Sequence, residues 1–419
     1  MPSDPNSPRS KALRLISNSR FHRTFTLPAT PDHDELTITY ADAGHDPEHP
    51  DDRDSTTILF MPGMFSSRYH GIPVHVVAEK LDVRVLVIDR PGMGNSTNTP
   101  LDQRVPVWLE IVPHLLAHLG IEHVALISHS AGPWVDPAHS HVTTMQLAQH
   151  LPSKAFNVWN QIPRFFLLKA SPKLACSGAV MTKIHDTVTG DDIASKSQLE
   201  KNRQRMEEGY GVPRAVQVEV DNFVTQFLFK EDTEGANSEA LQCLRKGREG
   251  MWGECEDYGV FVREFVEQER RAIDASDAGR ERGEKTLKVR LYFAERDAMI
   301  GKKGQEYVEE CWKVEDGEFQ DVLDVRSCTV SGVEHDSLPM SVEVWEKIFL
   351  EARGDDIQET PIESPDRFVA RLNFPAQMVW YEVLPDPLYK LSEILLGNDK
   401  HKVSFLRWTW QTANHLFKR

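Results

Sequence analysis

Two hydrophobic periodicities alternate along the first third of the chain, and together they predict a layered α/β architecture. Residues 22–28 (HRTFTLP) and 35–44 (ELTITYADAG) alternate apolar and polar positions, as half-exposed antiparallel strands do. Residues 56–61 (TTILFM) and 83–88 (VRVLVI) are instead nearly continuous β-branched or aliphatic runs, the pattern of parallel strands buried on both faces. Between 107 and 120, Leu109, Val112, Leu115, Leu116 and Leu119 recur at helical spacing and the run ends at Gly120, so a helix leads into the next strand, VALIS (124–128). Strand alternating with helix predicts a doubly wound, mostly parallel sheet.

From Asp136 to about 284 the pattern changes to long, charged, helical segments with aromatic interruptions, such as 221–229 (DNFVTQFLF) and 258–272 (YGVFVREFVEQERRA). These read as a helical cap inserted over the carboxyl edge of the sheet, with Trp252, Tyr258, Phe261 and Phe265 available either for an apolar pocket or for helix packing. Strand patterns return at 287–294 (LKVRLYFA) and 326–332 (RSCTVSG), with a helical run at 306–312 between them. The expected organisation is a flexible arm over 1–20, core over 21–135, cap over 136–284, core again over 285–353, and an acidic linker with a helical tail over 354–419. The tail carries helical patterns at 386–397 and 403–417.

Composition narrows the function classes. With 48 Lys plus Arg against 64 Asp plus Glu, the 419-residue chain has a net charge of −16, which repels nucleic acid. Five scattered cysteines without a C-x-x-C pair argue against a disulfide framework or a zinc site and fit a reducing, cytoplasmic setting. The basic, serine-containing first residues also suit an organellar leader. On the tail helix, Leu406, Trp410, Ala413 and Phe417 share a face flanked by basic residues; such a helix packs on a core or makes weak contact with a membrane surface. Asp136, His139 and His141 have metal-ligand residue types but no recognised spacing, so a polar loop is the expectation. Oligomeric state is not readable.

The candidate chemistry lies at strand ends. The strand 124–128 stops at His129 and Ser130, with the small residues Ser128 and Gly132 two places either side of Ser130. That pattern lets a strand turn sharply into a helix and expose a serine nucleophile. Asp297 follows the strand at 287–294, with Glu295 as the nearest rival carboxylate, and His335 follows the one at 326–332. Serine, acid and histidine in this order suit acyl transfer, with a histidine base oriented by a carboxylate. MPGMF (61–65) bends at Pro62 and Gly63, so that the amide of Met64 or Phe65 can join that of Ala131 as oxyanion donors. His129, by strand alternation, points into the interior.

With DRPGMGNS (89–96) after the strand at 83–88, these motifs resemble the α/β-hydrolase family over roughly 21–132 and 285–350. The likeness is to its serine-nucleophile branch with a large cap, as in fungal proteins with an AB hydrolase-1 domain. The resemblance implies Ser130 as nucleophile, His335 as base and Asp297 as orienting acid, acting without cofactor or metal on a small ester, thioester or lipid-like acyl substrate. A serine at position 130, where dehalogenases and epoxide hydrolases carry aspartate, points away from those branches. Acyl transfer to another acceptor and a catalytically silent binding role are the alternatives. One departure stands out: after Gly132 the fold needs a helix and a buried strand, but residues 133–141 (PWVDPAHSH) carry Pro137 where a helix should run. Either both elements are missing from this chain or 141–151 and 164–170 replace them.

Overall fold

A computed structural model of the chain describes residues 4–45, 56–130, 152–161, 192–244, 246, 257–276, 287–297, 300–354 and 377–382. The core is one sheet of eight strands: β1 (Arg23–Leu27), β2 (Leu36–Gly44), β3 (Thr57–Met61), β4 (Arg84–Ile88), β5 (Ala125–His129), β6 (Leu287–Arg296), β7 (Leu323–Glu334) and β8 (Gln377–Glu382). Their spatial order is β1-β2-β4-β3-β5-β8-β6-β7. Strands β3 to β7 all run in one direction, joined by β1, while β2 and β8 run against them. This is the mixed, mostly parallel sheet that the buried apolar runs predict.

The helices are α1 (Pro8–Ile16), α2 (Gly71–Lys80), α3 (Arg104–His118), α4 (Asp192–Tyr210), α5 (Arg214–Lys230), α6 (Gly235–Cys243), α7 (Tyr258–Ser276), α8 (Gly301–Cys311) and α9 (Val342–Ala352). Alternation along each strand feeds two layers. Ile58, Phe60, Val85, Val87 and Ile127 join α1, α2, α5 and α9 in one continuous cluster, where Phe60 meets Trp345 edge-on at 5.0 Å. Their neighbours Leu59, Met61, Leu86 and Leu126 pack on α3 on the opposite face. Farther along that face, Val289, Leu291 and Phe293 pack on α7 and α8 in a separate cluster. Leu126 and Val289 share a register row through Tyr381, so both clusters lie on the same face, on either side of β8.

Four expectations change. Within the expected arm over 1–20, the described residues 4–20 are not loose: Ser7 caps α1 with Pro8 at its first position, and Ala12 and Ile16 are buried in the core. Two of the basic residues there are engaged: the Arg9 guanidinium lies 3.1 Å from Glu219 and 4.6 Å from the Phe223 ring centre on α5, and Arg20 donates to the Asp42 and His45 carbonyls. Strand β2 is buried on both faces except near Thr37, because α2 closes the side that alternation left open to water, with Gly71 against Ala41 and Ala43 and Ala78 against Gly44. Helix α7 belongs to the core rather than the cap, since Tyr258, Phe261 and Phe265 face β6 and α8; amphipathic spacing fits either partner. Finally, the place between β5 and β6 is filled by β8, drawn from the tail that was read as helical and paired antiparallel to both neighbours. The candidate replacements at 141–151 and 164–170 lie outside the described residues, as do Trp252, the Asp136–His141 cluster and the tail beyond residue 382.

Candidate active site

Ser130, Asp297 and His335 each come one residue after a strand, at the carboxyl ends of β5, β6 and β7. Parallel strands bring these ends to one rim. Ser130 has φ 57°, a left-handed conformation uncommon for a side-chain-bearing residue and costing about 1–3 kcal/mol. That is the backbone signature of the sharp turn that pushes a hydroxyl out of the sheet edge. His335 joins the other two: its Nε2 lies 2.8 Å from Ser130 Oγ and its Nδ1 lies 2.8 Å from Asp297 Oδ2. With a proton on Nδ1 donated to the carboxylate, Nε2 is left to accept the serine hydroxyl.

The carboxylate is held from behind. Asp297 Oδ1 accepts the Ile300 amide at 3.0 Å, which fixes the side chain as the chain turns into α8. The rival, Glu295, is exposed and accepts the amide of Gly332 at 2.7 Å, away from the imidazole. Side-chain exposure is 7% for His335 and 4% for Asp297. Burial of the ring disfavours the imidazolium, but the Asp297 carboxylate, with a smaller contribution from Asp336, outweighs it and pushes the pKa of His335 above its ordinary value.

His129 is buried, as alternation requires, yet it touches the site. Its Nε2 donates to the backbone carbonyl of His335 at 3.0 Å, and the two rings lie 5.2 Å apart. Burial, with the nearby His335, pushes its pKa down to about 3, so it stays neutral.

The loop after β3 lies directly against the serine. A Cβ at Gly63 would fall 2.8 Å from Ser130 Cβ and 3.3 Å from Oγ, so only glycine allows this approach. Ser66 donates to the Gly63 carbonyl at 3.1 Å and closes a four-residue turn in which Phe65 has φ 61°. Phe65 is held there by burial and by Phe229 of α5, with ring centres 6.3 Å apart. Met64 and Phe65, the predicted donors on this side, directly follow the glycine that lies against Ser130; the third, Ala131, lies outside the described residues.

Sequence reasoning missed a buried charged group behind this loop. Arg90 reaches from the end of β4 to the carbonyls of Pro62 and Gly63, and Glu239 of α6 pairs with both Arg90 and Arg104. The glycine-rich turn 89–96 was recognised, but nothing local to it signals a partner 149 positions away. Among the described residues, no group of three His, Cys, Asp or Glu side chains could hold a metal ion, and no helix is long and apolar enough to cross a membrane.

No family model and no curated protein matches the sequence. Solved structures with similar folds include an epoxide hydrolase from Vigna radiata, at 11% identity over 80% of this chain and 99% of that one, with a TM-score of 0.38. A hydrolase from Pseudomonas aeruginosa has 13% identity over 79% of this chain and 98% of that one, also at 0.38. A structure from the thaumarchaeon Nitrososphaera gargenis, described with its carboxylesterases, has 11% identity over 79% and 97%, again at 0.38. Likeness at this level says nothing about the chemistry of the present chain, which rests on its own side chains.

Proposed function

We propose that this protein is a serine hydrolase that cleaves an ester, thioester or lipid-like acyl substrate through an acyl-enzyme. The observation that carries the reading is the continuous chain of contacts from Asp297 through His335 to Ser130. In the first half-reaction, Ser130 Oγ attacks the acyl carbonyl carbon while His335 Nε2 takes its proton. The resulting oxyanion is held by the amide of Met64 or Phe65 together with that of Ala131. The imidazolium then gives its proton to the departing alcohol or thiol. In the second half-reaction, water attacks the acyl-serine, the same nitrogen takes its proton, and the acid leaves as the serine recovers its hydrogen.

Hydrolysis of short p-nitrophenyl esters by the full chain tests this reading. Turnover well above that of buffer is expected for the native protein, and a loss of about 10³-fold or more for the folded Ser130→Ala variant. Equal turnover by the two proteins would remove the serine from the mechanism.

A further inference from the structure

Arg90 is placed to organise the loop that lies against Ser130. Its NH2 group donates to the Gly63 carbonyl at 2.7 Å and its NH1 group to the Pro62 carbonyl, so one guanidinium grips two successive peptide planes. A trans peptide is planar, with its N–H pointing opposite to its C=O, and the described residues contain no cis bond. Fixing the Gly63 carbonyl therefore fixes the direction of the Met64 N–H. Besides Arg90, the Ser66 amide closes the turn, and burial against Phe229 keeps Phe65 in a left-handed conformation that costs free energy.

The other edge of the guanidinium faces helix α6. Nε lies 2.6 Å from Glu239 Oε1 and NH2 lies 3.1 Å from Oε2, a bidentate pair in which the two side chains are 16% and 6% exposed. Arg104 braces the same carboxylate at 3.2 Å and donates to the Pro91 carbonyl at 2.6 Å. Helix α6, which carries Glu239, sits hard on the 89–96 turn. Gly235 N donates to the Gly92 carbonyl at 2.8 Å, and a Cβ at Gly235 would come within 2.5 Å of the Pro91 carbonyl oxygen. The path from α6 to the loop therefore runs through a rigid turn and a single fork-shaped side chain.

Building on the serine hydrolase reading above, we infer that Arg90 is a positioning residue for the oxyanion donors and that Glu239 couples its grip to the seating of helix α6. A displacement of α6 by substrate in the cap would then reach the amides beside Ser130 without touching the triad. Lysine cannot replace this arginine, because an ammonium lacks the planar fork that serves two carbonyls and a carboxylate together.

The test compares Arg90→Lys and Glu239→Gln with the native protein by two readouts. The first is the rate of Ser130 phosphonylation by a fluorophosphonate and its partition into binding and reaction steps. The second is amide hydrogen exchange over 62–68, with β3 as internal reference. Arg90→Lys is expected to lower the maximal reaction rate about 100-fold with little change in half-saturating probe concentration, and to speed exchange in the loop but not in the strand. Glu239→Gln leaves the two carbonyl contacts in place but removes the counter-charge, so a fall of about 10-fold with the same signature is expected; it carries the test if the lysine variant does not fold. Unchanged reaction rate and loop exchange in either folded variant overturn the inference, as does a fall in rate explained wholly by weaker binding. If the native protein takes no label at Ser130, it is the hydrolase reading that fails, and the exchange comparison still decides whether Arg90 holds the loop.

Discussion

Asp297 and His335 form a buried pair in which each side chain limits what the other can do. Because the carboxylate holds the imidazolium, the histidine keeps its proton to higher pH than the ordinary 6.5, with the loss centred at about 9. The pair therefore stabilises the fold fully below about pH 6.5, and that contribution is lost as pH rises through the raised value. Activity runs the other way. Attack by Ser130 needs the neutral ring, so ester hydrolysis is expected to rise with pH to a midpoint above 6.5. Asp297→Asn removes the charge and leaves burial opposed only by the smaller pull of Asp336, which should drop the midpoint below its native position and reduce the plateau rate by about 10⁴-fold. Hydrolysis followed from about pH 5 to about pH 10 checks this, and identical midpoints in the two proteins would contradict it. These residues were legible because each is a recognisable type at the end of a recognisable strand. Arg90 and Glu239 were not, since two ordinary charged residues far apart in sequence carry no local pattern.

The 89–96 turn has a physical reason for its glycines at the scale of the element. Asp89 is fully buried and accepts the Arg68 amide, the Arg68 guanidinium and the Thr39 hydroxyl, each at 2.6 Å. Arg68, 2% exposed, also reaches Glu231 at the end of α5, so this network joins the β3–β4 region to that helix as well. Gly94 closes over the pair with φ 61°; a Cβ there would fall 2.2 Å from Asp89 Oδ2 and 2.6 Å from the Arg68 guanidinium. Gly94→Ala must therefore part a buried ion pair, and a loss of about 3–5 kcal/mol is expected in urea or thermal unfolding. A change under about 1 kcal/mol would mean that the network tolerates what its geometry forbids. Strands β3, β4, β5 and β6 were legible from their apolar runs, because both of their faces must be covered. Helix α7 was legible as a helix but misassigned to the cap, because its amphipathic face does not say whether a sheet or a cavity lies opposite.

Across the whole molecule, β8 joins the half of the sheet that ends in Ser130 to the half that carries Asp297 and His335. It pairs with β5 from Ala125 to His129 and with β6 from Val289 to Phe293, so the spacing of the site depends on a segment near the far end of the chain. The departure from the expected pattern after Gly132 was visible in the sequence as a proline where a helix should run. The strand between β5 and β6 was not: QMVWYE is short, follows an acidic linker, and gives no sign of where in the sheet it pairs. Removing residues 355–419 should open β5 and β6, cost several kcal/mol at about 1 kcal/mol per net hydrogen bond, and abolish serine-dependent turnover. A truncated protein with native melting and native rate would show that β8 is dispensable. The central claim, that the three strand-end side chains make Ser130 a nucleophile, is tested most directly by treating the full chain with a fluorophosphonate and locating the adduct by peptide mass. The account predicts one adduct, on Ser130, absent from Ser130→Ala and strongly slowed in His335→Ala. Folded native protein that takes no adduct, or takes it equally without its serine, would contradict it.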